Sequence, residues 1–239
     1  MKKILLLTLI LITAIINAQT FKKGAFTISI SEGVVMANYT TKNLSSKAND
    51  INIENPSQTT TYLEGIRDPL IFEYGITNRI GLGIAFGGDL WKMDGSYYGI
   101  NDADQGLNIT TYEVTFDINY HTLISRRVDW AIHTSVGVLS VGFNEKFNDK
   151  EYNYFADGHI LRYGTSLRYY IWKRFAVMGM ISHYQSKSSP KNNEKNNLKD
   201  DYSTNINGWA FEGGFSFRIG RFDWKKEDYK KVIPPSARF

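Results

Sequence analysis

The segment Thr111–Tyr120, TYEVTFDINY, alternates residue by residue between two kinds of side chain. Every second residue is aromatic or branched aliphatic, and the residues between them are Thr, Glu, Asp and Asn. Because successive side chains of a β-strand point to opposite faces, this period predicts a strand with one apolar and one polar face. The segment Trp209–Ile219, WAFEGGFSFRI, repeats the pattern near the other end of the chain.

Eight segments of this kind occur, and short and long polar connections alternate between them. The predicted strands are Gly24–Asn38, Ile66–Ile76, Ile80–Trp91, Asn108–His121, Val128–Phe143, His159–Trp172, Phe175–Gln185 and Ile206–Phe222. The long connections are Tyr39–Gly65, Lys92–Leu107, Asn144–Gly158 and Ser186–Asn205. An even number of strands with tight turns on one side and long loops on the other is typical of barrels that span a membrane. The fold prediction is therefore all-β, an eight-stranded antiparallel up-and-down transmembrane β-barrel.

The ends of the chain predict export and a short tail. Residues 1–18 have two lysines, an apolar stretch Ile4–Ile16 and a small residue at Ala18, which is the pattern of a cleaved signal peptide. The apolar stretch is shorter than the roughly 20 residues that a membrane helix needs. We therefore expect residues 19–222 to form the barrel in a Gram-negative outer membrane, and residues 223–239 to form a periplasmic tail.

Composition excludes several classes of site. The 239 residues include no cysteine, so disulfides, thiolate metal sites and a cysteine nucleophile are absent. The formal charge is +4 from 28 basic and 24 acidic residues, and two of the basic residues leave with the expected signal peptide. The remaining charges are nearly balanced, which argues against nucleic acid as a partner. The mean hydropathy of −0.32 fits a membrane barrel, because only alternate residues of each strand face lipid.

Tryptophans mark the expected membrane boundaries. Trp91 and Trp209 fall at the strand ends assigned to the extracellular side, and Trp130 and Trp172 fall beside short periplasmic turns. Rings at both boundaries are the aromatic girdles of a membrane barrel. The alternative is a soluble up-and-down barrel of the lipocalin kind, which would hold its apolar face inside.

Two further motifs carry a family resemblance. Glu73–Gly83, EYGITNRIGLG, is a strand–turn–strand unit, and Phe217–Phe222, FRIGRF, is a last strand with an aromatic end. From Gly24 to Phe222 the chain resembles the small eight-stranded outer-membrane barrels, the group of the OmpA transmembrane domain, OmpX and OmpW. The resemblance implies outer-membrane location and insertion by the barrel-assembly machinery, and it implies no single activity.

The polar face, directed inward, predicts a charge network in the lumen. An eight-stranded barrel is just wide enough to be filled by side chains, so inward charges must pair with one another. We expect Arg168 to pair with one of the acids Glu113, Asp117 and Glu212. The strand Phe175–Gln185 is apolar on both faces, and its inward residues are not predicted. The predicted network is Glu73, Glu113, Asp117, Arg162, Arg168, Glu212 and Arg218.

One short motif suggests catalysis. His133 and Ser135 lie on one face of one strand, and with Glu113 or Asp117 they could form a hydrolase triad. The face assignment turns both residues into the lumen, whereas a lipid A-modifying hydrolase needs them at the lipid. We therefore predict no catalytic residue and no enzyme activity. The histidines fall on four different strands without zinc spacing, so no metal and no cofactor are predicted.

The expected function is thus a non-enzymatic outer-membrane barrel with a structural or surface-interaction role and a lumen closed by charged side chains. The alternatives are a narrow channel for a small solute and a lipid A-modifying hydrolase. Expected partners are outer-membrane lipid and lipopolysaccharide, the latter through lysines of the last long loop, and the expected state is a monomer. Those lysines are Lys187, Lys191, Lys195 and Lys199.

Overall fold

A computed structural model of the chain describes residues 21–42, 58–94, 106–124, 127–147, 150–190 and 203–219. The expected signal peptide and the C-terminal tail lie outside these residues, so both remain predictions. Within the described ranges, no helix is long and apolar enough to cross a membrane. The strand segments are β1 (Phe26–Lys42), β2 (Gln58–Arg67), β3 (Leu70–Gly75), β4 (Ile80–Gly87), β5 (Asp89–Asp94), β6 (Gly106–Ile124), β7 (Val128–Phe147), β8 (Lys150–Tyr170), β9 (Phe175–Pro190) and β10 (Ser203–Ile219).

These segments close into one antiparallel ring. The final strand β10 pairs with β1, and from β6 to β10 each strand pairs with the next in sequence. Strands β2 and β3 lie end to end and both pair with β1, and β4 and β5 lie end to end against β6. Ten segments therefore occupy eight positions, and the predicted eight-stranded antiparallel barrel is confirmed.

The two interruptions have local causes. The segment expected as one strand, Ile66–Ile76, is broken at Asp68–Pro69, because proline has no N–H to donate to the ladder. The strand predicted over Ile80–Trp91 is broken at Gly88. A Cβ atom there would lie 2.1 Å from the carbonyl oxygen of Thr111, so only glycine fits.

Strands extend into segments that the sequence analysis predicted as loops. The expected loop Asn144–Gly158 is largely a hairpin, in which β7 continues to Phe147 and β8 begins at Lys150. Strand β2 likewise begins at Gln58, inside the expected loop Tyr39–Gly65. Their polar composition favours loops, but the inward residues Leu63 and Ala156 of these extensions are apolar and belong to one buried cluster. We call this side of the barrel the loop end, and the side with the short connections the turn end.

The outward face is apolar around the middle of the barrel. Ile84, Phe116 and Phe215 are 46%, 45% and 52% exposed, and alternate residues on the neighbouring strands follow the same pattern. The residues between them are buried and mostly polar, including Ser29 and Thr115. A polar interior inside an apolar belt is the reverse of a soluble barrel, and it is the arrangement of a barrel that spans a membrane.

Towards the loop end the interior becomes apolar. A buried cluster fills the barrel there and includes Tyr39, Leu63, Trp91, Phe143 and Tyr184. Trp91 is only 2% exposed, so its assignment to the aromatic girdle was wrong. The alternation that directs Gly81 and Gly83 inward continues past Gly88 to position 91, which places this tryptophan inside.

Candidate functional site: the charged barrel interior

All seven predicted lumen charges lie at buried, inward positions of the described residues. Each of the seven residues has less than a tenth of its surface exposed. They do not form a single cluster. Contacts divide the charged residues into two networks, one nearer the loop end and one nearer the turn end.

The loop-end network is centred on Arg67 of β2. Its guanidinium donates to Asp89 Oδ1 at 3.1 Å, to Glu113 Oε1 at 2.5 Å and to Glu212 Oε1 at 3.2 Å. All four side chains are buried, and they come from β2, β5, β6 and β10. Arg67 therefore joins walls of the barrel that are far apart in the strand order, and such charge-assisted hydrogen bonds are the strongest kind in proteins.

Arg162 of β8 completes this network from the opposite side. Its Nη2 atom lies 2.5 Å from Glu113 Oε2 and 3.8 Å from Asp89 Oδ2. Its Cζ atom lies 4.7 Å from the centre of the Tyr184 ring, in cation–π geometry. Ser31 of β1 donates to the carboxylate of Glu212 at 2.9 Å. Two guanidinium groups and three carboxylates thus form a continuous layer across the lumen.

The turn-end network is built around His121 and Arg168. The imidazole lies between two carboxylates, with Nε2 at 2.9 Å from Glu73 Oε1 and Nδ1 at 2.6 Å from Asp129 Oδ1. Arg168 Nη1 lies 2.7 Å from Glu73 Oε2 and 3.5 Å from Asp129 Oδ2. The buried ring of Phe21 stacks on His121 at 3.4 Å between centroids. This network closes the side of the interior nearest the short turns.

The predicted pairing of Arg168 was wrong. Its partners are Glu73 and Asp129, whereas Glu113 and Glu212 belong to the loop-end network. The reason is the strand register, because Arg168 pairs directly with Asp129 between β8 and β7. The sequence pattern gave the face of each residue and did not give its height along the barrel axis.

The other two predicted charges, Asp117 and Arg218, have contacts of a different kind. Asp117 accepts a hydrogen bond of 2.9 Å from the hydroxyl group of Thr115 on the same strand. The Cζ atom of Arg218 lies 4.1 Å from the centre of the Tyr170 ring. Both residues are buried and extend the polar lining of the lumen.

Four further charged or titratable residues belong to the networks and are absent from the predicted set, although the sequence carries a signal for them. They are Arg67, Asp89, His121 and Asp129. Each lies an even number of residues from an inward residue of the same predicted strand, and these inward residues are Glu73, Gly83, Asp117 and His133 in turn. Extending the period of two to both ends of each strand would have found all four. They were missed because each lies near a break or a strand end, where the pattern was not followed.

The suspected catalytic pair lies inside the barrel. His133 and Ser135 are 7% and 5% exposed and face the lumen from β7. Three of the four tryptophans assigned to the girdle do face outward, with Trp130, Trp172 and Trp209 exposed by 45%, 68% and 49%. Trp130 donates its indole N–H to Thr165 on the neighbouring strand.

The chain is similar to solved structures of low sequence identity. No family model and no curated protein matches the chain. The structure is similar to that of the outer membrane protein OprG from Pseudomonas aeruginosa, with 12% identity and a TM-score of 0.46 over 86% of this chain and 100% of that one. It is also similar to Ail of Yersinia pestis, determined with the heparin analogue sucrose octasulfate, with 16% identity and a TM-score of 0.43 over 82% and 99% of the two chains. The assignment to membrane-spanning barrels rests on the strand pairing and the outward apolar belt.

Proposed function

We propose that the protein is a non-enzymatic, integral barrel of the Gram-negative outer membrane, with a structural or surface-interaction role and a lumen closed by its own side chains. The observation that carries this proposal is the loop-end network, in which Arg67 and Arg162 hold three carboxylates across the interior. Exported chains reach the outer membrane through a signal peptide, which residues 1–18 are expected to provide.

Closure is supported by three layers of side chains along the axis. The interior of an eight-stranded barrel is narrow, so a continuous layer of side chains leaves little room for a solute. The two ionic networks form two such layers, and the apolar cluster around Trp91 and Tyr184 forms a third. An ion entering from the loop end would first meet the apolar layer, where it would lose its hydration.

A surface role is supported by the outer wall at the loop end. Strands β7 and β8 extend further in sequence than the other strands, and exposed polar residues such as Lys187 and Asn207 lie on the same side. A lysine there suits the anionic head groups of lipopolysaccharide. The other three lysines proposed for this contact lie outside the described residues. Outer-membrane lipid, lipopolysaccharide and the assembly machinery thus remain the proposed partners of a monomer.

Absence of enzyme activity is part of the proposal. A lipid A-modifying hydrolase must present its nucleophile to a lipid, and Ser135 faces the buried interior. The inward direction of His133 agrees with a lining role for this pair.

Electrical recording tests the closed lumen. We expect the purified barrel in planar lipid bilayers to show no discrete conductance steps, because charged and apolar layers obstruct the axis. Steps that change in size in Glu113→Gln, but not in the control Arg79→Ala, would contradict closure and identify a narrow channel. Arg79 suits as a control because it lies in an exposed turn.

A further inference from the structure

Two exposed carboxylates, Glu32 and Asp68, lie in the apolar belt, and a third, Glu64, lies on β2 nearer the loop end. Glu32 of β1 faces outward between Ile30 and Val34, which are 60% and 49% exposed. Asp68, at the break between β2 and β3, also faces outward. The nearest outward residues on either side of it along the chain, Ile66 and Leu70, are exposed and apolar. No basic side chain of the described ranges forms an ion pair with either carboxylate. Charged groups at membrane depth are costly and mark functional sites.

The two carboxylates are neighbours on the outer face. Strand β1 pairs with β3 up to Ile30, opposite Leu70, and pairs with β2 from Gly33, opposite Arg67. The break at Asp68–Pro69 therefore lies directly opposite Ser31–Glu32. A single cationic group could contact both acids.

Glycine leaves open space on the other side of Glu32. Gly213 of β10 pairs with Glu32, and Gly179 of β9 pairs with Gly213. A Cβ atom added at Gly213 would meet nothing within 4 Å, whereas one at Gly214 would lie 2.1 Å from a backbone oxygen. The fold thus requires glycine at 214 and not at 213. A glycine in a strand without a packing reason suggests a site where another molecule approaches closely.

On the side of Asp68 that is away from Glu32, a groove lies in the outer wall of the barrel. The break at Gly88 opens a volume of about 690 Å³ in the outer wall, between β4, β5 and β6. Apart from Asp68 its outward lining is largely apolar, with Phe86, Leu90 and Val138 among its residues. Such a groove can hold a hydrocarbon chain while the carboxylates at its edge hold a polar head.

We propose that this region, the acidic groove formed by Glu32, Asp68, Gly88 and Gly213, docks a membrane lipid whose head group carries a protonated primary amine. The amine would neutralise the two carboxylates, and an acyl chain would lie along the apolar lining. A local inward displacement of the head group brings it to the depth of the acids, as membranes allow around charged side chains.

Charge placement favours a lipid over a second copy of the chain. The basic residues of the described outer face lie at the two ends of the barrel. Arg79, Arg127 and Arg174 lie at the turn end, and Lys92 and Lys187 lie on the loop-end side of the belt. A second copy would therefore offer no described cation at the depth of Glu32. This inference goes beyond the proposed function and does not depend on whether the lumen conducts.

Native mass spectrometry of the full barrel tests the acidic groove. The protein is released from detergent micelles that contain equal amounts of phosphatidylethanolamine and phosphatidylglycerol, and bound lipids are counted. We expect the wild type to retain phosphatidylethanolamine in preference, and the double variant Glu32→Gln/Asp68→Asn to retain about fivefold less of it, which corresponds to roughly 1 kcal/mol of binding free energy. Asp157→Asn, which removes an exposed carboxylate from the outward face of β8, should change nothing.

A second variant separates binding from folding. A Cβ atom at position 213 meets nothing within 4 Å, so Gly213→Leu should fill the open space beside Glu32 and reduce lipid retention while the heat-dependent gel shift of the folded barrel is kept. Equal retention of the two lipids by the wild type would overturn the proposal, and so would unchanged retention in the double variant. A dimer that disappears in the double variant would instead assign the surface to a second copy.

Discussion

Replacing Arg67 with alanine is expected to destabilise the folded barrel by about 3–5 kcal/mol, because it leaves buried carboxylates without their cation. Arg67 donates to Asp89, Glu113 and Glu212, and Arg162 contacts two of these acids but not Glu212. The free energy of unfolding, measured by urea titration of the refolded protein in lipid vesicles, provides the test.

Two further variants show whether the loss of stability comes from the loop-end network. Arg79→Ala removes an arginine from an exposed turn, where its Nη1 lies 3.4 Å from the hydroxyl group of Tyr120, and should cost about 0.5 kcal/mol or less. Adding Glu212→Ala to Arg67→Ala should recover part of the stability, since one stranded carboxylate is then removed. A cost for Arg67→Ala no larger than that of Arg79→Ala would show that the network does not stabilise the barrel.

Replacing Arg168 with alanine is the second large effect that we expect, again about 3–5 kcal/mol. Its loss removes the guanidinium from Glu73 and Asp129 and leaves them hydrogen-bonded to the imidazole of His121 in this network. The same urea titration measures the change in unfolding free energy.

The second-site variants distinguish the two networks. Glu73→Ala should restore part of the stability of Arg168→Ala, because it removes the carboxylate 2.7 Å from the missing guanidinium. Glu113→Ala should restore nothing, because Glu113 binds Arg67 and Arg162. Rescue by Glu113→Ala and not by Glu73→Ala would contradict the register that places Arg168 opposite Asp129.

The side-chain period of two explains how much of the fold could be predicted. It depends on the geometry of a single strand, so the sequence alone was enough to place Glu113 inside and Phe116 outside. The strand breaks were harder to foresee. Proline at position 69 gives a recognisable signal, but the interruption at Gly88 depends on how closely Thr111 approaches across the sheet.

Pairing within the interior could not be predicted for a different reason. Which acid meets Arg168 depends on the stagger of eight strands around the ring, and that stagger is a property of the closed barrel. Arg67 illustrates the consequence, because its three acids lie 22, 46 and 145 residues away in sequence. Local sequence reasoning finds the face of each residue, whereas only the closed barrel defines its partners.

Towards the loop end the inward face of the strands changes from polar to apolar. This change explains why the predicted strands were too short and why Trp91 was placed on the outer face. In the belt an apolar residue on a strand faces outward, as Phe215 does, but nearer the loop end Tyr39 and Phe143 face inward. A rule that sends every aromatic residue to the lipid therefore fails beyond the belt. The sequence keeps its period of two through this change, and only the chemical identity of the two faces is exchanged.

The direction of the tryptophan side chains tests the central claim, that a polar lumen is enclosed by an apolar face in contact with lipid. Single-tryptophan variants that keep only Trp209 or only Trp91 are placed in vesicles with brominated acyl chains, and the quenching of indole fluorescence is measured. Trp209 is 49% exposed on the outer face and Trp91 is 2% exposed inside. We expect strong quenching of Trp209 by the brominated lipid and little quenching of Trp91. Strong quenching of Trp91 with an unaffected Trp209 would contradict the central claim.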